Sequence, residues 1–520
     1  MGYRSSGSSR GYLYVALRSI AVVMVALSVA LVGVDVAVQT PFRGASSDVE
    51  GHAAGAVTVS VSPQRAQRWM GFGASGAWWS GPVAAFAPSR RAYLGKLLFS
   101  SSGLELSQFR YNIGGGGYGV LVPWKADPSM YTPSGQFNWN GDPAGVLFLK
   151  MAHEMGVKDL IGFVNSAPPQ FTSDHLSCAG SLLGSQVQGY ATYLARLVQG
   201  LWVHDHIKLS YVSPMNEPAN SFPSCKQEGM AVPVALRGPL VVDLGTALER
   251  WAPWCRITAD ESSQVSSQML KQLPEWVTPG VLPYLSVVAH HDYDFPTSAV
   301  FSRMKAYVSS LHRPSWTSEI CCYQGARFGY QYDPTMSSGL WLADLIYHTV
   351  TFGGDSAFQW WIAASPDVGC DVTTTPSCAN QVNVLGRNDG LVYFDLNGGR
   401  NGDQRFFLTK RYWVFAGFSR YIRPGAIIHL ARTDDASIHA ITAYANHVWT
   451  VVVINEHTAR SGPTTLQIQF PPHTMLRSVA SSIVTSPTSN AAPSPKPQVN
   501  GSVVVGSIAP SSVTTYQFSS

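Results

Sequence analysis

The fold is decided by the stretch KLSYVSPMNEP at residues 208–218. It begins as a short strand-like run, Lys208–Val212, and passes directly into a proline-flanked polar cluster that contains Asn216 and Glu217. A segment with helical periodicity follows at 232–249. A strand, a polar cluster and a helix in this order form one unit of an alternating α/β fold.

The same unit recurs on both sides of this stretch. The helical segments lie at 89–99, 143–155, 186–201, 232–249, 262–272, 298–309 and 337–352. The predicted strands are Trp69–Phe72, Glu105–Tyr111, Leu160–Val164, Lys208–Val212, Arg256–Thr258, Leu285–Ala289, Ser315–Thr317 and Ala357–Trp361. Eight alternations over about 300 residues are typical of a TIM (β/α)8 barrel. Polar or aromatic clusters follow almost every strand, and barrel enzymes build their active sites from these loops.

Three segments make up the chain in this interpretation. Residues 1–45 contain arginines followed by the apolar run Ile20–Val34, which is typical of a signal peptide. An uncleaved membrane anchor is the alternative, although a spanning helix needs about 20 apolar residues. The catalytic barrel occupies 56–425. Short alternating segments at 426–520 predict a small antiparallel β-sandwich, and within it the Pro-, Ser- and Asn-rich stretch 484–500 is expected to be a surface loop.

The composition excludes some classes of function. Charged residues make up 13% of the chain and its net charge is +4. No basic block is present that would follow a phosphate backbone, so we expect no nucleic-acid partner. The 15 tryptophans exceed the need of an ordinary core, so some are expected on a binding surface. We expect a monomer that needs no cofactor.

Seven cysteines indicate an oxidising compartment, and the odd number leaves at least one without an intramolecular partner. Cys370 and Cys378 bracket a polar loop and are the easiest pair to propose. Cys178 and Cys225 lie in two loops of one barrel face. Together with the N-terminal pattern, the cysteines predict a secreted, extracellular protein, bound to a membrane only if the N-terminal segment stays uncleaved.

The remaining cysteines are Cys255 and the adjacent Cys321 and Cys322. Ring strain argues against a bond between adjacent cysteines, so Cys255 is a candidate partner for one of them. Metal binding is the competing interpretation of the cysteines, but no Cys-x-x-Cys pair or histidine cluster with zinc spacing occurs. We therefore expect disulfides and no metal.

Two glutamates follow strands on opposite sides of the predicted barrel. Glu217 follows the fourth strand and Glu319 the seventh. Hydrolysis of a glycosidic bond with retention needs two carboxyl groups about 5–5.5 Å apart, one protonated and one ionised. The pair therefore predicts a retaining glycoside hydrolase. Two other acidic clusters, Asp260 with Glu261 and Asp292 with Asp294, can supply a carboxylate or line the cleft.

The residues around both glutamates resemble a known family. Asn216-Glu217-Pro218 and Glu319 are similar to the clan of barrel glycosidases with this placement and, within it, to glycoside hydrolase family 30. The strings that carry the resemblance are GFGASGAWW at 71–79, RYNIGGG at 110–116, NSAPP at 165–169 and FSRYIRPG at 418–425. The resemblance implies a polysaccharide substrate, Glu217 as acid/base and Glu319 as nucleophile. It also implies that the strand Val57–Val61 joins the sandwich.

The strings GASGAWW, RYNIGGG and Gln227-Glu228-Gly229 look most like the endo-β-1,6-galactanase branch of that family, which acts on arabinogalactan side chains. Other branches cleave xylan, β-1,6-glucan or glucosylceramide. The pair Cys321-Cys322, directly after the nucleophile, departs from the family pattern. A non-catalytic, secreted carbohydrate-binding protein and a membrane-tethered surface protein are the alternatives from other classes.

Supporting roles follow from chemistry and from the resemblance together. Asn216 is expected to bind the sugar 2-hydroxyl, unless it only forms a turn. Arg110 is expected to hold Glu319 ionised, unless it belongs to a structural ion pair. Tyr293 is expected to orient the nucleophile, with His291 as a second candidate beside it. The remaining substrate-binding candidates are Asn165 and the stacking residues Trp79 and Trp361, chosen from the pairs Trp78/Trp79 and Trp360/Trp361.

Overall fold

The computed structural model describes residues 55–324, 327–328 and 331–520. The predicted signal peptide or anchor at 1–45 therefore lies outside the described residues. Within the described part of the chain, no helix combines the length and the apolar character needed to cross a membrane.

Eight parallel strands form a closed barrel. The eighth strand pairs with both the seventh, at Phe358 and Thr317, and the first, at Phe358 and Phe72. The strands are Gly71–Ser75, Gln108–Asn112, Asp159–Phe163, Tyr211–Ser213, Arg256–Ser262, Leu285–His291, Ser315–Glu319 and Ala357–Ser365. The prediction of a TIM barrel is thus confirmed, with strand ends that differ by a few residues. Most strands are buried on both faces, as parallel strands covered by helices are.

Helices cover the outside of the barrel. They are Pro88–Phe99, Pro143–Glu154, Val187–Asp205, Val234–Trp251, Leu270–Trp276, Ser298–Ser310, Met336–His348 and Lys410–Ser419. Local sequence sets their starts: Asp142 accepts a hydrogen bond from the Gly145 N–H at 2.8 Å, with Pro143 at the first helical position. The segment predicted at 262–272 begins instead with a π-helical turn, Val265–Met269, which precedes the α-helix. Short helices lie at Ser80–Ala84 and Gly398–Asn401.

The eighth barrel strand carries an extension. Strand Gly390–Phe394 pairs with it in parallel, and strand Phe406–Leu408 pairs antiparallel with Gly390–Phe394. A long connection joins the eighth strand to Gly390–Phe394, and the Cys370–Cys378 disulfide closes a short loop within it. This connection reaches the carboxyl-terminal face of the barrel, where the candidate site lies.

A second, ten-stranded sheet follows the barrel, as the sandwich prediction expected. Val57–Arg68 belongs to it, pairing antiparallel with Ile427–Thr433 and in parallel with Thr464–Gln469. The other strands are Ile438–Ala445, Val448–Asn455, Ser478–Ser486, Ser489–Pro493, Gln498–Asn500, Val503–Ile508 and Ser512–Ser519. A separate apolar core, including Val59, Val451 and Phe518, lies within this domain.

The prediction of a loop at 484–500 was wrong. This stretch contains the end of strand Ser478–Ser486 and the strands Ser489–Pro493 and Gln498–Asn500, which are the two edges of the sheet. Proline and short polar side chains are tolerated at sheet edges because one side of the strand needs no ladder partner. An edge strand with this composition therefore looks like a loop in the sequence.

Three disulfides are present among the described residues. Cys178–Cys225 and Cys370–Cys378 are the two pairs that the sequence favoured. The expectation against Cys321–Cys322 was wrong, because these adjacent residues are bonded to each other. Cys322 adopts a φ of 67°, in the left-handed region, and in this turn the two Sγ atoms meet. The proposed partner, Cys255, is a buried free thiol instead.

Candidate active site

Glu217 and Glu319 meet at the carboxyl-terminal face of the barrel. One carboxylate oxygen of each and a ring nitrogen of His291 all lie within 4.8 Å of one another. Both side chains line a cavity of about 270 Å³, which they share with Asn216, Tyr293 and Trp361. Two carboxyl groups this close match the geometry of retaining rather than inverting hydrolysis, which separates them by about 6.5–9.5 Å.

Three side chains surround the Glu319 carboxylate. Arg110 Nη1 donates to Oε2 at 2.9 Å, and the Tyr293 hydroxyl donates to Oε1 at 3.0 Å. His291 Nδ1 lies 3.6 Å from Oε1. Burial raises the pKa of the Glu319 carboxyl above its ordinary value, while the charges of His291 and Arg110 oppose that rise. Arg110 thus contacts Glu319, and its charge acts to lower the pKa of that carboxyl against the effect of burial, which is the direction expected from the sequence.

His291 connects Glu217 and Glu319 to a third carboxylate, Glu261. Its Nδ1 lies 3.1 Å from Glu217 Oε1, and its Nε2 lies 3.0 Å from Glu261 Oε2. Burial alone would lower the pKa of His291, but the carboxylates of Glu319, Glu217 and Glu261 raise it to about 10. The imidazole is therefore a cation at neutral pH and donates from both nitrogens.

Glu261 is the residue whose importance the sequence did not reveal. It receives hydrogen bonds from Ser318 Oγ at 2.6 Å and from Arg110 Nη2 at 3.4 Å, besides that from His291. Burial would raise the pKa of Glu261, but Arg110, His291 and Ser318 lower it to about 2. Its backbone carbonyl also accepts from the Glu217 N–H at 2.9 Å. Glu261 therefore anchors the buried charges and the backbone of Glu217.

The other acidic residues considered in the sequence serve as structural partners. Asp260 pairs with Arg237 at 3.2 Å. Asp292 accepts from His290 at 2.9 Å. Asp294 accepts from the backbone N–H groups of Val265 and Ser266 at the start of the π-helical turn. Of the acidic residues that the sequence singled out, Glu217 and Glu319 are the two that line the cavity.

Tryptophan side chains line the cavity, but one of the two choices made from the sequence was wrong. Trp361 lines it as predicted, whereas Trp79 is fully buried in the core against Phe148, with ring centroids 4.7 Å apart. Trp78 occupies the cavity wall instead and meets Trp361 edge to face at 4.8 Å. Both residues lie beyond the end of the first strand, where the backbone has turned and Trp78 has a φ of 69°, so strand alternation does not apply.

The two asparagines differ in position. Asn216 lines the cavity, and its Oδ1 has no hydrogen-bond partner among the described residues. An unpaired buried carbonyl beside the glutamates is free to accept a hydrogen bond from a sugar hydroxyl. Asn165 is buried after the third strand and is not part of the cavity lining. The structure thus brings Asn216, and not Asn165, into the cavity.

The long connection after the eighth strand adds a charged wall that the sequence did not indicate. Arg387 and Asp389 line the cavity together with Phe222 and Gln227. Burial raises the pKa of Asp389 to about 7, with a further contribution from Asp367. The wall can therefore carry both a cation and a carboxyl group that titrates near neutral pH.

Among the described residues, the one cluster that could hold a metal ion is Glu217, His291 and Glu319. Both ring nitrogens of His291 already face carboxylates, and its raised pKa keeps both protonated. A protonated nitrogen has no lone pair for a metal. The cluster is better suited to proton transfer than to metal binding.

Comparison with known proteins agrees with this geometry. The sequence model of O-glycosyl hydrolase family 30 matches residues 56–276. The structure is similar to the catalytic domain of GH30 xylanase C from Talaromyces cellulolyticus, with a TM-score of 0.68 and 23% identity over 89% of this chain and 100% of that chain. It is similar to the family 30 subfamily 8 xylanase Xyn30A from Clostridium acetobutylicum, with a TM-score of 0.66 and 19% identity over 89% and 100%.

A third similar structure is the endo-β-1,6-glucanase BT3312, with a TM-score of 0.63 and 16% identity over 89% of this chain and 94% of that chain. At these identities the solved structures establish the fold, a barrel with an attached β-sheet domain. The matched family segment contains Glu217 and the strings at 71–79, 110–116 and 165–169. Over residues 56–276, which hold Glu217, the chain is therefore similar to the O-glycosyl hydrolases of family 30.

Proposed function

We propose that this protein is an endo-β-1,6-galactanase that acts on arabinogalactan side chains by double displacement. The choice of galactan as the substrate rests on the arrangement of the three strings that resemble the galactanase branch. Trp78 of the first string and Gln227 of the third line the cavity. The N–H groups of Gly115 and Gly117, in and directly after the second string, donate to Glu228 of the third at 3.0 and 2.8 Å. The second and third strings are therefore hydrogen-bonded to each other, and the first and third both contribute to the cavity lining.

The chemistry follows from the positions of the two glutamates. A Glu319 oxygen attacks the anomeric carbon while Glu217 gives its proton to the departing glycosidic oxygen, so that one C–O bond forms as another breaks. Water then attacks the same carbon from the vacated side, Glu217 takes its proton, and the Glu319 ester bond breaks. His291 contacts Glu217, and Tyr293 and Arg110 hold Glu319 in place by hydrogen bonds.

A digestion panel tests this proposal. De-arabinosylated β-1,6-galactan, glucuronoxylan and β-1,6-glucan are incubated with the enzyme, and the products are sized. We expect β-1,6-galactooligosaccharides of several lengths from galactan alone. Release from xylan or β-1,6-glucan only would replace galactan as the substrate and leave the hydrolase assignment intact.

The roles of the glutamates are tested on the substrate that the panel identifies. Glu217→Gln removes the acid/base, and general acid–base catalysis contributes about 10²–10⁴-fold. Glu319→Gln removes the nucleophile, so we expect product release to be lost. Glu154→Gln, an exposed position on the outer helix Pro143–Glu154, is the matched control and should keep full activity. Full turnover by either cleft variant would refute the mechanism, and binding without product in the wild type would favour a carbohydrate-binding protein.

We also propose that the enzyme works outside the cytoplasm. Three disulfides in the described chain support this, because such bonds persist in oxidising compartments. Sequencing the N-terminus of the mature protein tests it. A cut near Ala37 indicates secretion, and an intact N-terminus found with the membrane fraction indicates tethering.

A further inference from the structure

The Cys321–Cys322 disulfide lies inside the catalytic cavity. Both residues belong to its lining, together with Glu217 and Glu319, and they follow Glu319 by two and three positions in the chain. Their side chains are almost fully buried in the protein, so the surface they expose faces the cavity. The other two disulfides are not part of this lining.

One hydroxyl group bridges the nucleophile and the disulfide. The Tyr293 hydroxyl lies 3.0 Å from Glu319 Oε1 and 3.9 Å from Cys321 Sγ. The backbone N–H of Trp361 donates to the backbone carbonyl of Ile320 at 3.0 Å. This hydrogen bond fixes the segment between the nucleophile and the disulfide to the eighth strand. The disulfide and the Glu319 carboxylate thus lie side by side in the same cavity lining.

The chemical character of the disulfide suits one face of that sugar. A pyranose ring has a polar rim of hydroxyl groups and an apolar face of C–H bonds. The cavity has many polar groups for the rim, including both glutamates, Asn216 and Arg387. A disulfide has no N–H or O–H donor, and its sulfur atoms are polarisable, so it favours contact with C–H bonds.

The tryptophans of the cavity supply less stacking surface than their number suggests. The ammonium group of Lys125 lies 4.0 Å from the ring centroid of Trp78 and covers one face of that ring. Trp361 meets Trp78 edge to face, with 84° between the ring planes, and also contacts Phe163 edge to face. Apolar surface for a sugar face must come in part from other groups near Glu319, and the disulfide is such a group.

We propose that the Cys321–Cys322 disulfide is a substrate-binding surface that contacts the C–H face of the sugar attacked by Glu319. The inference rests on the proposed two-glutamate hydrolysis and does not depend on galactan being the substrate. Because the bond fixes both side chains, the surface is rigid and discriminates between sugars that differ at the contacted face. The disulfide is then a determinant of specificity.

The test compares two double variants in the otherwise intact Glu319→Gln protein, which binds without turnover. Cys321→Ala/Cys322→Ala removes the surface, and Cys370→Ala/Cys378→Ala removes a disulfide outside the cavity. Calorimetric titration with β-1,6-galactotetraose measures the affinity of each variant. If the digestion panel identifies xylan or β-1,6-glucan as the substrate, the corresponding xylo- or gluco-oligosaccharide is used instead. We expect about tenfold weaker binding for the first variant, the effect of losing roughly 50 Å² of apolar contact, and unchanged binding for the second.

A second readout separates contact from positioning. With Glu319 restored, Cys321→Ala/Cys322→Ala should raise KM while the acidic limb of the kcat/KM profile keeps its position. Unchanged affinity would overturn the inference. A shifted acidic limb with a lower kcat at unchanged affinity would also overturn it, since the disulfide would then act only through Tyr293. If the wild type cleaves no glycan, the proposed function has failed instead.

Discussion

Replacing Glu261 by glutamine should destabilise the enzyme strongly, although Glu261 is not one of the two catalytic glutamates. The carboxylate is buried and accepts hydrogen bonds from His291, Ser318 and Arg110. Its pKa falls from 4.5 to about 2 in the folded state. Since each tenfold change in acidity corresponds to about 1.4 kcal/mol, the charged form is stabilised by about 3 kcal/mol. Removing one partner of a buried ion pair typically costs about 3–5 kcal/mol, which agrees.

The pH dependence provides a sharper test than the magnitude. A carboxyl with a lowered folded pKa contributes its full stability above the unfolded value of 4.5, and loses it as the pH falls toward 2. The difference in unfolding free energy between wild type and Glu261→Gln should therefore be about 3 kcal/mol at pH 7 and roughly half of that by pH 3.

Guanidinium unfolding followed by tryptophan fluorescence measures this difference across the pH range. Glu154→Gln changes the same chemical group at an exposed position and should stay within about 0.5 kcal/mol of wild type at every pH. If Glu261→Gln unfolds like the wild type at pH 7, or if its deficit is unchanged at pH 3, Glu261 does not anchor the charge cluster.

Two further predictions concern the same cleft. His291→Gln should lower the free energy of unfolding by about 3–5 kcal/mol below pH 6.5. The loss should shrink as the pH rises toward 10, because a raised histidine pKa contributes its full stability below the unfolded value of 6.5 and loses it between 6.5 and 10, where the unfolded state binds fewer protons than the folded state. A deficit that grows with pH would contradict this. Trp79→Leu should lower the free energy of unfolding by about 3 kcal/mol and leave KM unchanged, whereas Trp78→Leu should raise KM several-fold. If Trp79→Leu raises KM and Trp78→Leu does not, Trp78 is not the tryptophan that lines the cavity.

The barrel was predictable because its evidence is local and repeated. Each strand is a short apolar run, each is followed by a polar cluster, and helical periodicity separates them. The same logic placed Glu217 and Glu319 on one face, since the carboxyl ends of barrel strands share an edge. Strand ends were less predictable: the fifth strand continues through Asp260 and Glu261 to Ser262, because barrel closure supplies Arg237, Arg110 and His291 as partners for its acidic residues.

What could not be predicted depends on contacts between distant parts of the chain. Trp78 and Trp79 are indistinguishable in the sequence, and the turn after the first strand decides which of them faces the cavity. Arg387 and Asp389 reach the cavity from a long connection without a motif. The bond between Cys321 and Cys322 depends on a left-handed backbone at Cys322, which the sequence does not announce at a non-glycine residue.

The buried charges of the site bear on the roles proposed for the two glutamates, one as an acid and the other as a nucleophile. Arg110 and His291 supply two positive charges, and Glu217, Glu261 and Glu319 can supply three negative ones. Glu261 stays ionised, because its pKa is about 2. The charges balance when the remaining two carboxyl groups hold one proton between them, and an unbalanced buried charge is costly. Arg110 donates directly to Glu319, whereas among the described residues Glu217 forms its ion pair with His291. Retaining hydrolysis requires one proton on this pair before substrate binds, and the proposed mechanism places it on Glu217.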